Sequence, residues 1–69
     1  MNQRELILRW IDAYGHITPA KMAGRVYLGE MFGSEVDRRC RELRTDGLVE
    51  SFYMPKSRFV SFRRVNETN

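Results

Sequence analysis

This chain of 69 residues carries one cysteine, one histidine and two prolines, and it has no long apolar run. A single thiol, Cys40, closes no internal disulfide, so packing must hold the fold together. His16 falls in a connection with no second metal ligand and no nucleophile recognisable beside it, so a metal centre or a catalytic pair lacks its parts. Gly29 and Gly33 have neither the spacing nor the lysine of a phosphate-cradling loop. No enzymatic activity and no cofactor are therefore expected. No stretch approaches the roughly 18 apolar residues of a membrane span, and Met1 to Arg9 lacks the positive, apolar, small-residue order of a secretory signal. The expectation is a cytoplasmic protein with no membrane partner. Internal repeats, low-complexity tracts and linkers are also missing, which leaves one small domain, residues 1–69, with a single core.

What is present is 42% hydrophobic residues and a formal net charge of +3. An excess of positive charge favours an anionic partner. Residues 33–49 are the most informative. Ser34 is an N-cap type of residue, Glu35 and Asp37 sit where the helix dipole favours negative charge, and Gly47 supplies the stop with Arg44 in the last turn. Between these limits Val36, Cys40 and Leu43 recur at i, i+4, i+7 and predict a buried stripe, on which Cys40 is a packing thiol. The opposite face is then Ser34, Arg38, Arg41 and Thr45 with Glu42 beside it, while Arg39 and Arg44 flank the stripe and could reach sideways to phosphates. Pairs at i, i+4, Asp37 with Arg41 and Arg38 with Glu42, would offset the charges locally. Four arginines against Glu35, Asp37, Glu42 and Asp46 leave this helix neutral, so a positive surface must come from elsewhere.

Three helices and a hairpin are predicted, with helices at about 3–14, 18–28 and 34–46, a hairpin at about 48–65 and a polar tail at 66–69. The first helix places Leu6, Ile7, Trp10, Ile11 and Tyr14 on one side, and Gly15 ends it. Ile17-Thr18-Pro19 announces the second, which buries Met22, Ala23 and Val26, with Ile17 stapling against Met22 or Ala23. In the hairpin, Lys56 and Ser57 are the expected tip. That register sets Glu50 opposite Arg63, Phe52 opposite Ser61 and Met54 opposite Phe59. Alternation does not say which face of the hairpin packs inward.

Ile17-Thr-Pro19 opening the second helix, Met22-Ala23 within it, Ser34 and Val36 opening the third, and Arg38-Arg-Cys-Arg-Glu-Leu43 leading to Asp46-Gly-Leu-Val49 resemble the winged helix-turn-helix family over residues 4–65. The resemblance implies a mainly α fold with a small β-hairpin, in the order α-α-α-β-β. It further implies sequence-specific binding of double-stranded DNA by a small transcriptional regulator, with the third helix in the major groove and the hairpin, or wing, on the backbone. By position, Ser34, Glu35, Arg38 and Arg41 are candidate base or phosphate contacts, and Lys56 and Arg58 form the wing tip with Ser57 between them. Thr45 on the same outward face and Arg39 on its flank join this set. Arg38 or Arg41 bound to guanine O6 and N7 would contribute roughly 1 to 3 kcal/mol of discrimination. A homodimer on a two-fold site is one expected assembly. The alternative is a winged-helix module that binds another protein through Met31, Phe32 and the wing, an apolar patch with an arginine rim. The stretch between Met22-Ala23 and Ser34 is longer than the family's usual tight turn.

Overall fold

The computed structural model describes residues 2–22 and 31–65. Helix α1 (Gln3–Tyr14) starts at Asn2, whose extended backbone lets its side-chain oxygen accept the Glu5 N–H at 2.9 Å. That contact satisfies one of the orphan donors of the first turn. Gly15, at φ 90°, ends the helix and donates its N–H to the Ile11 carbonyl. Ile7 and Ile11 are fully buried, and Leu6, Leu8 and Trp10 pack half-buried against the same core. Tyr14 departs from the predicted apolar side: it falls in the last turn, stacks at 4.6 Å on Trp10 and leaves 66% of its surface in solvent.

Beyond Gly15 the chain runs extended. Ile17 is buried and forms a two-bond bridge with Phe62, each N–H donating to the other's carbonyl at 2.9 Å. Pro19 then opens a 3-10 turn, Pro19–Met22, and not the α-helical first turn the sequence suggests. Among the described residues there are thus two α-helices, not three. The remainder of the expected second helix, including Ala23 and Val26, lies outside the described residues, as does the polar tail at 66–69. Thr18 is buried, and its hydroxyl lies 2.7 Å from the buried Ser61 hydroxyl across the gap to the hairpin. A buried hydroxyl without a partner costs roughly 1 to 3 kcal/mol, so each of the two accounts for the other.

Helix α2 (Gly33–Thr45) corresponds to the predicted third helix but begins earlier. Phe32 occupies the N-cap position without a side-chain cap, and Ser34 is an exposed residue of the first turn. The reason is energetic. Met31 is fully buried and Gly33 is buried beside it, and burying a methionine gains about 1.5 to 3 kcal/mol against about 1 kcal/mol for a serine cap. Val36, Cys40 and Leu43 line the core as their spacing predicts. The helix closes on Gly47 at φ 80°, where the Gly47 N–H bonds the Arg44 carbonyl and the Leu48 N–H bonds the Leu43 carbonyl. These are the paired bonds of a Schellman motif, which needs a left-handed residue and so selects glycine.

Strands β1 (Val49–Tyr53) and β2 (Val60–Arg64) pair antiparallel with Glu50 opposite Arg63 and Phe52 opposite Ser61, the predicted register. Val49 and Phe62 carry one hairpin face into the core, whereas the other meets Thr18 through Ser61 and His16 through Phe52. The tip is a turn over Met54–Ser57, closed by the Ser57 N–H on the Met54 carbonyl. Its centre is Pro55-Lys56, one residue earlier than expected, because proline fixes the second position of a turn. Lys56 in the third position takes φ 64°, which is rare for a residue with a side chain.

Candidate nucleic-acid interface

Burial of Val36, Cys40 and Leu43 fixes the roll of α2, and the opposite face follows from 100° per residue. Ser34, Glu35, Arg38, Arg41, Glu42 and Thr45 border one open concavity on that face. All four predicted outward residues are exposed. The same burial, with the charge of Asp37 adding to it, pushes the Cys40 thiol up to about 12. A thiol held protonated among apolar side chains is a packing group, as the position of Cys40 on the core stripe predicts.

The two flanks of α2 differ. Towards α1, a hydrogen-bonded relay runs from Glu42 to Arg39 (3.0 Å), from Arg39 Nε to Gln3 Oε1 (2.9 Å) and from Gln3 Nε2 to Glu35 (3.1 Å). Asp46 at the end of the helix is salt-bridged to Arg4 of α1. Glu42 therefore pairs at i, i+3 with Arg39, where the sequence suggested Arg38 at i, i+4. Half-buried between two acceptors, Arg39 serves the α1–α2 contact and does not reach sideways as the sequence suggested. On the outer face Arg41 pairs with Asp37 as expected, and the Thr45 hydroxyl donates to the Arg41 carbonyl at 3.1 Å. Away from α1, Ser34 and Asp37 border a second concavity with Pro19, Ala20 and Val60, so the helix surface runs on into the 3-10 turn and the hairpin.

The arginines of β2 are similarly engaged. Glu50 pairs with Arg63 at 2.7 Å, and Arg63 also lies 4.3 Å over the Phe52 ring, so its charge is spent within the hairpin. Arg64 holds Asp12 of α1 through bonds of 3.0 and 3.2 Å, which lowers the Asp12 carboxyl below its ordinary value. His16 packs edge-on against Phe52 at 6.0 Å, a packing role that accounts for the only imidazole.

Pairing thus sorts the cations. Arg4, Arg39, Arg41, Arg63 and Arg64 have acidic partners, whereas Arg9, Lys21, Arg38, Arg44, Lys56 and Arg58 have none among the described residues. Lys56, Ser57 and Arg58 come together at the hairpin tip as predicted, and Lys21, from the end of the 3-10 turn, lines the same concavity. The sequence placed Lys21 outside on its helix but offered no signal that it meets the tip. That proximity arises from the Ile17–Phe62 bridge, which ties the start of the 3-10 turn to β2. Among the described residues no group of His, Cys, Asp and Glu could hold a metal, and no helix is long and apolar enough to cross a membrane.

The predicted apolar patch is reduced. Met31 is wholly buried because it completes the core beneath α2, while Phe32 remains 47% exposed. Tyr53 and Phe59 are also exposed on the hairpin. Comparison with protein-family models, with curated proteins and with solved structures finds no match for this chain.

Proposed function

We propose that this chain is a double-stranded DNA-binding domain of the winged helix-turn-helix kind, a small transcriptional regulator that sets α2 in the major groove and the hairpin tip on the backbone. The observation that carries the reading is the partition of charge. Arg38 is the one arginine on the outward face of α2 without an acidic partner among the described residues, and Lys21, Lys56 and Arg58 cluster without acids at the hairpin tip. Base contacts specify and phosphate contacts position, so Arg38 takes the first role and the tip cluster with Arg44 the second. Arg41 is a reserve contact. Its exposed pair with Asp37 is worth no more than about 0.5 kcal/mol and yields to a stronger acceptor.

Protein binding through Phe32, Tyr53 and Phe59 is the second reading, favoured by their exposure and weakened by the burial of Met31. The two are separated by anisotropy titrations on a randomised duplex at two salt concentrations. Four phosphate contacts, from Lys21, Arg44, Lys56 and Arg58, give a log-log salt slope of about 3.6, or a loss of roughly 150-fold between 50 and 200 mM salt. Absence of duplex binding at low salt would sink the DNA reading. Sedimentation of the complex on a two-fold site tests the homodimer.

A further inference from the structure

Glu35 and Arg38 stand at i and i+3 on α2 and border the same outward concavity, yet they are not paired with each other. Each of the other three acids from this helix and its cap, Asp37, Glu42 and Asp46, is neutralised by an arginine. Glu35 alone has a neutral partner, Gln3, which donates to Oε2 at 3.1 Å. The relay behind Gln3 explains why. Arg39 fixes the Gln3 carbonyl oxygen and is itself neutralised by Glu42, so the amide of Gln3 is left pointing its N–H at Glu35. The outer face therefore shows one uncommitted donor group beside one half-exposed acceptor whose orientation is fixed from behind.

Against a phosphate backbone, an acid in this place is repulsive. Against base edges it is useful. In the major groove a G·C pair shows the guanine O6 and N7 acceptors beside the cytosine N4 donor, and a carboxylate is the side chain that accepts from N4. Side chains three residues apart on a helix are about 5 to 6 Å from each other, close enough to address one base pair or two successive ones. We propose that Glu35 and Arg38 form a joint reader of G·C, with Arg38 on guanine, Glu35 Oε1 on cytosine N4, and Gln3 as the positioning residue that holds Glu35. This rests on the DNA reading above and adds to it the class of base pair that α2 selects.

The test is selection from a randomised duplex pool, followed by titration of single-pair substitutions in the selected site. Wild type is expected to prefer G·C over A·T at one position by about tenfold or more. Glu35→Gln, which keeps an acceptor for Gln3, should abolish that cytosine preference or redirect it to adenine, with the salt slope unchanged and the melting temperature lowered by no more than the loss of one first-turn charge. Gln3→Ala should shrink the ratio without changing the salt slope, an outcome a purely structural latch would not give. If Glu35→Gln and Glu35→Ala keep the wild-type preference at every position while duplexes still bind, the joint reader is wrong and the DNA reading stands. Failure of the wild type to bind any duplex at low salt overturns both.

Discussion

The outward face of α2 exists only because Cys40 faces inward, so labelling of that thiol tests the site through its back. Free in an unfolded chain, a thiol near its ordinary value of 9.0 is about 10% ionised at pH 8, whereas at about 12 the thiolate fraction is about 0.01%. Direct reaction with a disulfide reagent is thus cut about a thousandfold before steric exclusion is counted, since only the thiolate attacks. The other route is opening of the domain. At roughly 0.05 to 0.15 kcal/mol per residue, a chain of this length is stable by roughly 3 to 10 kcal/mol, which slows reaction by a few hundredfold at the lower end. Stopped-flow labelling of the native and the urea-unfolded chain at pH 8 should therefore differ by at least about a hundredfold. A difference within about tenfold would refute the packing of α2 and with it the placement of Arg38 and Arg41. The same thiol sets a pH dependence. Its folded value is raised, so its contribution is fully present below pH 9 and is lost between 9 and about 12, at most about 4 kcal/mol. Cys40→Ala should flatten that part of the alkaline unfolding curve.

Met31→Ala should cost about 2 to 5 kcal/mol in urea unfolding, and Phe32→Ala well under 1 kcal/mol, since only the first is buried; equal losses would contradict the start of α2. Thr18→Val alone strands the Ser61 hydroxyl and should cost about 1 to 3 kcal/mol, whereas Thr18→Val with Ser61→Ala should recover most of it in a double-mutant cycle. Gly47→Ala should lose about 1 kcal/mol from φ 80° alone, because open space surrounds the added carbon, and calorimetry would expose any larger effect. Lys56→Gly removes a charge at a position with φ 64°, so it should weaken all duplexes alike while leaving the melting temperature unchanged or higher.

The periodic parts of the sequence were the readable ones. Val36, Cys40 and Leu43 sit on the core face their spacing predicts, and the hairpin register is the one set by a tip near Lys56-Ser57 and supported by the opposite charges of Glu50 and Arg63. Local capping chemistry misled at Ser34, because the burial of Met31 and Gly33 is a tertiary gain that no short window contains. Helical periodicity put Arg39 on the flank of α2, but that it is held there by a glutamine 36 positions away has no local signature. Lys21 reached the candidate site through the Ile17–Phe62 bridge, a pairing with no local signature.

That bridge also makes the hairpin a cantilever. Two strands alone are marginal in water, but β2 is clamped at Phe62 by β1 on one edge and by Ile17 on the other, backed by the Thr18–Ser61 hydroxyl pair and by Val60 against the core. A rotation at the α1–Ile17 junction is therefore passed through that rung of two hydrogen bonds to the charged end of the hairpin, where Lys56 and Arg58 lie.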